Sequence, residues 1–298
     1  MPIIMLAAAA VAIAPPAWLY PQNMAAEPPP ASHAPISVPG SRVTVDAAIL
    51  HDRAQTVNWF PADQPAPPAR VLKAKTGESA CGYCHMVNGV GHPQNISIAG
   101  LNADYVIAQF AAFRSGQRKA AQPGYIPNSS MTRVAGQVSE TEVAELANYY
   151  SKLRYRSLIR VREAAMVPKV QAVGLVWQRV PGPPEAIAGR IVELMDDPED
   201  SIRHNPRGRS TAYVPPGSIS RGRRIAAELG CMACHMQMLG GWGPGRSPSY
   251  IVRQLLAFRN RARTDPDAET MQPIADQLSL DDMVAVAAWM GAGAKASR

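Results

Sequence analysis

Apolar residues recur at helical spacing in two stretches between Asn102 and Leu153, and the same two stretches return in order near the carboxyl end. The first carries Val106, Ile107, Phe110 and Phe113 on one stripe; with Asn102 as N-cap it predicts a helix running to about Arg114. The second opens on Ser139-Glu140-Thr141-Glu142, a capping-box pattern, and sets Val143, Leu146, Ala147, Tyr150 and Leu153 on one face. In the later copy Ser247 caps a helix with Pro248 at its first position, and the run Tyr250 to Arg259 matches Tyr105 to Arg114. Ser279-Leu280-Asp281-Asp282 then repeats the capping pattern ahead of Met283, Val286, Ala287 and Met290. The separation between matched positions shrinks along the copy, so the second unit is a shortened duplicate of the first. A mainly α chain with two tandem helical domains is predicted, over residues 70–156 and 218–298.

Between the duplicates, residues 157–217 are too many for a plain linker. Leu158 to Val161, Val173 to Val180, Arg190 to Leu194 and Ala212 to Val214 have strand-like character, with turns at Pro181-Gly182-Pro183-Pro184 and Pro215-Pro216-Gly217. This connecting insert predicts a small β element that braces the domain pair. Ahead of the first domain, residues 27–69 form a proline-rich extension. Glu27 to Pro39 and Pro61 to Pro68 read as extended chain. A short helix is expected between them, around Asp46 to Gln55, and Trp59 and Phe60 are expected to pack onto the first domain.

Residues 1–26 open with an uncharged stretch from Met1 to Tyr20 that is apolar from Ile3 to Ala14. Two readings stand: a secretory signal peptide removed near Ala25 or Ala26, or a retained amino-terminal anchor, since about 20 apolar residues just span a bilayer. Either one exports the chain to a periplasmic location, free or membrane-anchored.

The chemistry lies in Cys81-Gly82-Tyr83-Cys84-His85 and its repeat, Cys231-Met232-Ala233-Cys234-His235, which together use all four cysteines. C-x-x-C-H is the attachment sequence of c-type haem. Two thiols one helical turn apart each take a porphyrin vinyl group as a thioether, and the histidine that follows becomes the iron's proximal ligand. A structural zinc site fits poorly, because zinc ribbons space their cysteine pairs by only about 15 to 20 residues. A thioredoxin-like pair would sit in a strand-helix-strand pattern, which neither copy has. Two covalently bound haem c groups are therefore expected.

Composition fits that reading. Aromatic residues are only 6% of the chain, and haem would supply the large flat apolar surface they leave short. The formal net charge of +7 would be offset by about half through the haem carboxylates. Arginines are dispersed without a basic tract, so nucleic acid is not an expected partner.

The second axial ligand decides between electron transfer and catalysis at an open iron. Met131 and Met271 stand the same distance ahead of the matched capping residues Ser139 and Ser279. This common register singles them out from the 13 methionines as soft thioether ligands of the kind that raises an iron's potential. Met86, Met232, Met236 and Met238 lie too close to the attachment motifs to reach across a porphyrin. Pro93 and Pro244 follow the motifs and could offer a carbonyl to the proximal imidazole N–H. Arg118 and Arg263, each just past the paired Arg114 and Arg259, are candidate donors to the haem carboxylates, with solvated surface arginine as the alternative.

At these residues the chain resembles the diheme class I cytochromes c of the cytochrome c4 type. The resemblance rests on both C-x-x-C-H motifs, the post-motif prolines, the Tyr-x-x-x-Gln-(Leu/Phe)-x-x-Phe helix, the distal methionine and the acidic-capped last helix. It implies two cytochrome c-type haem domains with His85 and Met131 on one iron and His235 and Met271 on the other. It also implies a periplasmic or membrane-attached carrier, often towards a haem-copper terminal oxidase. The proline-rich entry and the central insert exceed that plan, the second copy is trimmed between His235 and Tyr250, and Leu72 stands where the second domain has Gly222.

A one-electron carrier between a dehydrogenase or quinol complex and a downstream acceptor is the expected function, with no enzyme activity of its own. The alternatives are a diheme oxidoreductase resembling thiosulfate dehydrogenase, with one reactive haem, and a cytochrome subunit fixed in a larger complex. A reactive haem often carries an unusual ligand, and the chain has no spare cysteine to supply one. A mobile carrier would dock less well as ionic strength rises, whereas a fixed subunit would co-purify with its complex.

Overall fold

The computed structural model describes residues 11–24, 33–235 and 245–293. It is 43% helix and 14% strand, which makes the chain mainly α with small sheets. The first helical unit holds α1 (Ala69–Leu72), α2 (Cys81–His85), α3 (Ala103–Arg114), α4 (Ile126–Gln137) and α5 (Glu140–Lys152). The second repeats the order with α7 (Ser218–Glu228), α8 (Cys231–His235), α9 (Pro248–Arg259), α10 (Pro266–Ala275) and α11 (Leu280–Ala292).

The helix starts follow from their caps. Asn102 accepts from the backbone N–H groups of Asp104 and Tyr105 ahead of α3, and Ser247 accepts from that of Tyr250 at α9. Both capping boxes form: Ser139 with Glu142 opens α5, and Ser279 with Asp282 opens α11. Val143, Leu146 and Ala147 of α5 are buried in the first unit. Val252, Leu256, Met283 and Ala287 fill the core of the second.

The matched first helices differ in length. Gly222 lets α7 cross α11 backbone to backbone; a Cβ there would stand 1.9 Å from the Ala285 carbonyl oxygen. Leu72, at the matched place, instead ends a helix of four residues and packs beside the first core.

The insert is a β element. β3 (Ile159–Glu163) runs parallel to β9 (Ser210–Val214), which pairs antiparallel with β8 (Val192–Met195), giving the order β3-β9-β8. β4 (Met166–Val167) pairs with β7 (Glu185–Ala186), β5 (Val170–Val173) forms a hairpin with β6 (Val176–Arg179), and α6 (Pro198–Ile202) precedes β9. Ile191, Ala212 and Val214 are buried in the core of the second unit, so the sheet braces that unit directly. Buried Glu193 of β8 reaches the start of α9, where its carboxylate accepts from Ser247 Oγ at 2.8 Å and from the Ser249 N–H at 3.3 Å.

Two expectations change here. Trp59 and Phe60 join Val38 and Leu50 in a separate cluster, beside the pair β1 (Pro35–Ile36) and β2 (Val45–Asp46). That cluster braces against the insert: Trp59 Nε1 donates to the Arg203 carbonyl at 2.8 Å, and the Arg207 guanidinium lies 3.5 Å from the Phe60 ring centre. The expected helix around Asp46 to Gln55 is a 3-10 turn over Ala47–His51, capped by Asp46.

Part of the amino-terminal stretch read as leader or anchor makes defined contacts with the rest of the chain. Residues 11–24 are built into the fold. Leu19 is 1% exposed within the second unit's core. Asn260 grips Ile13 twice, accepting its N–H at 3.0 Å and donating to its carbonyl at 2.7 Å. Asn23 pairs antiparallel with Gly174 of the insert, and Gln22 accepts the Ile126 N–H at 2.7 Å. Ala25 and Ala26, the expected cleavage region, lie outside the described residues. Among the described residues no helix is long and apolar enough to cross a membrane.

The two helical units meet at the turns that follow α3 and α9. Arg118 and Arg263 form an antiparallel bridge, flanked by Lys119 N–H to the Ala262 carbonyl at 2.9 Å and Thr264 N–H to the Gln117 carbonyl at 2.8 Å.

Candidate haem sites

In the first unit the attachment motif forms its own helical turn, α2, so Cys81 and Cys84 are presented one turn apart. Cys81, Cys84 and His85 line a cavity of about 360 Å³ whose walls include Ile98, Phe110 and Phe113. That size and apolar lining suit a cofactor pocket. Met131, carried on α4, lines the same cavity.

His85 Nδ1 lies 3.0 Å from the Ile96 carbonyl oxygen. A carbonyl can only accept, so Nδ1 carries the proton and Nε2 keeps its lone pair for a metal. Burial pushes the imidazole pKa below its ordinary value, against the opposing hydrogen bond, which favours the neutral ring a metal requires. Proline was expected to supply this acceptor. The chain instead turns back through the paired residues His92 and Asn95, which brings Ile96 over the ring. The Pro93 carbonyl serves Arg253 Nη2 at 2.8 Å.

The cysteines fit attachment better than metal ligation. Burial pushes the Cys81 thiol up to about 12 and raises Cys84 as well. A thiolate is strongly disfavoured there, whereas an uncharged thioether suits an apolar wall.

Buried polar groups mark where a ligand with acceptor oxygens would sit. The Tyr20 and Tyr125 hydroxyls are buried and have no hydrogen-bond partner among the described residues. Both rings line the cavity, as do Arg118 and Arg253. His92 and His204 also line it, with ring centres 5.9 Å apart. Burial and their proximity to other histidines push His92 down to about 3 and His204 to about 4.

In the second unit Cys231 and His235 are part-buried on α8, and Cys234 is exposed. Met271 lies on α10 beside Phe258, Ala268 and Ala275. The matched helices therefore carry the matched methionines: Met131 lines the cavity that Phe113 also lines, and Met271 packs beside Phe258. Met236, Met238 and Pro244 lie outside the described residues.

Neither Arg118 nor Arg263 is a solvated surface residue: they are 7% and 3% exposed. Arg118 donates to Gln109 Oε1 of its own unit and, at 2.8 Å, to the Tyr250 hydroxyl of the other. Arg263 donates to Gln254 Oε1 at 3.1 Å and to Gln109 Oε1 at 3.0 Å, and it pairs with Asp265 at 3.1 Å. Each guanidinium also covers the phenylalanine of its own unit, Phe113 at 4.8 Å and Phe258 at 4.6 Å from the ring centre. Arg246 reaches across in turn, donating to the Ser97 and Ala99 carbonyls of the first unit.

Sequence reasoning missed Gln109 and Gln254 as members of this junction. Their signal was a polar residue held at the same place in both copies of an otherwise apolar helix. The Ile96 carbonyl left no signal, because any residue supplies a carbonyl.

No family model matches the chain. It is 25% identical over 229 residues to a thiosulfate dehydrogenase electron acceptor from Thiomonas intermedia, covering 76% of this chain and 84% of that protein. It is 24% identical over 216 residues to cytochrome c4 of Pseudomonas aeruginosa, covering 71% and 83%. A solved structure, reduced cytochrome c4 from Pseudomonas stutzeri, aligns with a TM-score of 0.44 at 20% identity over 72% of this chain and 93% of that one.

Duplicated attachment motifs on helical turns, with relatives of this kind, define the class: an electron-transfer cytochrome c with two covalently bound haem c groups. Within that class the chain is cytochrome c4-like.

Proposed function

We propose that the protein carries electrons one at a time, outside the cytoplasm, between a respiratory donor and an acceptor such as a terminal oxidase. His85 and Met131 hold one iron, and His235 and Met271 hold the other. Bound haem supplies the ferric/ferrous couple; the chain supplies ligands, burial and a fixed geometry. The observation that carries this reading is one apolar cavity lined by both His85 and Met131, with the His85 lone pair freed by the Ile96 carbonyl. A thioether and a neutral imidazole add no charge to the iron, which favours the ferrous state in an apolar pocket and leaves no position for a substrate.

The relative named as an electron acceptor of thiosulfate dehydrogenase is in keeping with a carrier. A dehydrogenase is then one class of donor from which this chain could receive electrons.

A reductive titration of the purified protein, followed by its spectra, tests the reading. Two one-electron steps are expected, with low-spin spectra throughout and no carbon monoxide binding to the reduced form. Ready carbon monoxide binding would show an open iron and turn the reading to a catalytic haem. Co-purification with a large complex that survives high salt would instead make the chain a fixed subunit.

A further inference from the structure

We propose that the amino-terminal segment Val11–Met24 is a permanent wall of the first haem pocket. In this arrangement its Tyr20, with Tyr125, donates a hydrogen bond to a haem carboxylate, and maturation leaves the segment attached to the chain. The inference rests on haem at the first site and is independent of which partners the carrier serves.

Three observations lead there. First, the segment is held as firmly as an internal element. The Leu19 carbonyl accepts from Arg253 Nη1 at 3.1 Å, and the Trp18 carbonyl accepts from Trp177 Nε1 at 3.0 Å. With the Asn260 and Asn23 contacts, these bonds tie it to the second unit and to the insert. Removing the segment would expose the apolar core around Leu19 and take the acceptors from Nη1 of buried Arg253 and from Nε1 of part-buried Trp177.

Second, the cavity is unfinished without a polar ligand. Tyr20 and Tyr125 are 6% and 4% exposed, their rings stack edge to face at 5.0 Å, and both hydroxyls lack a partner among the described residues. A buried hydroxyl without a partner is costly, and two on one cavity wall call for an acceptor.

Third, the surroundings select a negative one. Arg253 lies 5.6 Å from the Tyr125 ring centre and Arg118 lines the same cavity, so the cavity that the phenols face also carries two guanidinium groups. Haem brings two carboxylates, and a carboxylate accepts several donors at once. Tyr20 comes from a part of the chain that repeats nowhere in the second unit. The first pocket therefore gains a donor that the duplication did not supply.

Two measurements test this on the holoprotein exported from its native signal. Intact mass and amino-terminal sequencing should place the mature terminus upstream of Tyr20. A terminus downstream of Tyr20 overturns the proposal.

Tyr20→Phe and Tyr125→Phe keep the rings and remove the donors. Each should lower one of the two reduction potentials, because a less neutralised carboxylate favours ferric iron, and should shift the carboxylate vibrations of one haem. The expected change in the one-electron equilibrium is about three- to tenfold, tenfold being about 59 mV. Unchanged potentials in both variants, or equal shifts of both haems, overturn it. Carbon monoxide binding with these results intact would sink the carrier reading and leave this one standing.

Discussion

Gly222→Ala is the sharpest test of how the second unit is assembled. The added methyl would lie 1.9 Å from the Ala285 oxygen, 2.4 Å from its carbonyl carbon and 2.9 Å from the Val286 nitrogen. All three are backbone atoms, so no side chain can swing away. To restore a tolerable contact the two helices must part by at least about 1 Å, and a gap of that size forfeits a quarter to a half of each dispersion contact along the seam. Ile225, Ala226, Met283, Val286 and Ala287 are buried in that region. Spreading it should cost about 3 to 4 kcal/mol, and alanine's helix preference over glycine returns about 1 kcal/mol, for a net loss of about 2 to 3 kcal/mol. Urea unfolding of the holoprotein measures the loss, and hydrogen exchange locates it in α7 and α11. Gly136→Ala is the control: it lies inside α4 with nothing within 4 Å of the added methyl, and should be neutral or stabilising by up to about 1 kcal/mol. Equal behaviour of the two variants would refute the close crossing.

Met131→Ala and Met271→Ala should each abolish one of two thioether-to-iron absorption bands and lower one potential while both haems stay covalently attached; unchanged spectra would reject that ligand. Asp265→Asn takes the charge from a buried pair in which Arg263 and Asp265 are each 3% exposed, and stability should fall by about 3 to 5 kcal/mol, with exchange rising at the turns that join the units. Acid should destabilise the protein through His92 and His204. Their folded pKa values, near 3 and 4, lie below the unfolded value near 6.5, so the unfolded state binds more protons and stability present above about pH 6.5 is lost as pH falls towards 4 and 3. Each contributes a slope of up to about 1.4 kcal/mol per pH unit, and His92→Gln or His204→Asn should flatten the urea midpoint between pH 6.5 and 4; the wild-type slope in both variants would count against buried neutral rings.

The helices that open on a side-chain cap were legible because their signals are local, whereas α4 and α10, which carry Met131 and Met271, were not anticipated. Asn102, Ser139, Ser247 and Ser279 cap what their positions announced, and a repeated stripe reads the same in either copy. Strands β3, β6, β8 and β9 of the insert were legible as apolar runs near proline turns, but β4, β5 and β7 were not, and the run Val173 to Val180 holds a hairpin turn between β5 and β6. What escaped was long-range. An uncharged run such as Ile13 to Leu19 has the same composition whether a translocon, a bilayer or a protein core receives it, and its partners Asn260 and Arg253 stand far along the chain. Trp59 went to the insert because its indole N–H needed an acceptor, which Arg203 provides. The motif announced His85 as the candidate ligand, but the atom that fixes its tautomer, the Ile96 carbonyl oxygen, belongs to a backbone path that side-chain identity does not encode.

The additions beyond the duplicated core have a common mechanical effect. Two tandem domains joined by a linker ordinarily move relative to one another. Here Gln22 and Arg253 tie the amino-terminal segment to α4 and α9, Arg246 reaches carbonyls of the first unit, and Arg118 and Arg263 cross at the junction. Hinging the units apart would take the Tyr250 hydroxyl from Arg118, Gln109 Oε1 from Arg263, the Ser97 and Ala99 carbonyls from Arg246 and the Pro93 carbonyl from Arg253, in a largely buried setting where each lost hydrogen bond costs more than at a surface. The separation and orientation of the two attachment helices are thus set by the same contacts that stabilise the chain. For the carrier proposed above, that rigidity keeps the path between the two haem sites constant from one cycle to the next, and a substitution that loosened the junction would slow internal transfer while leaving both potentials in place.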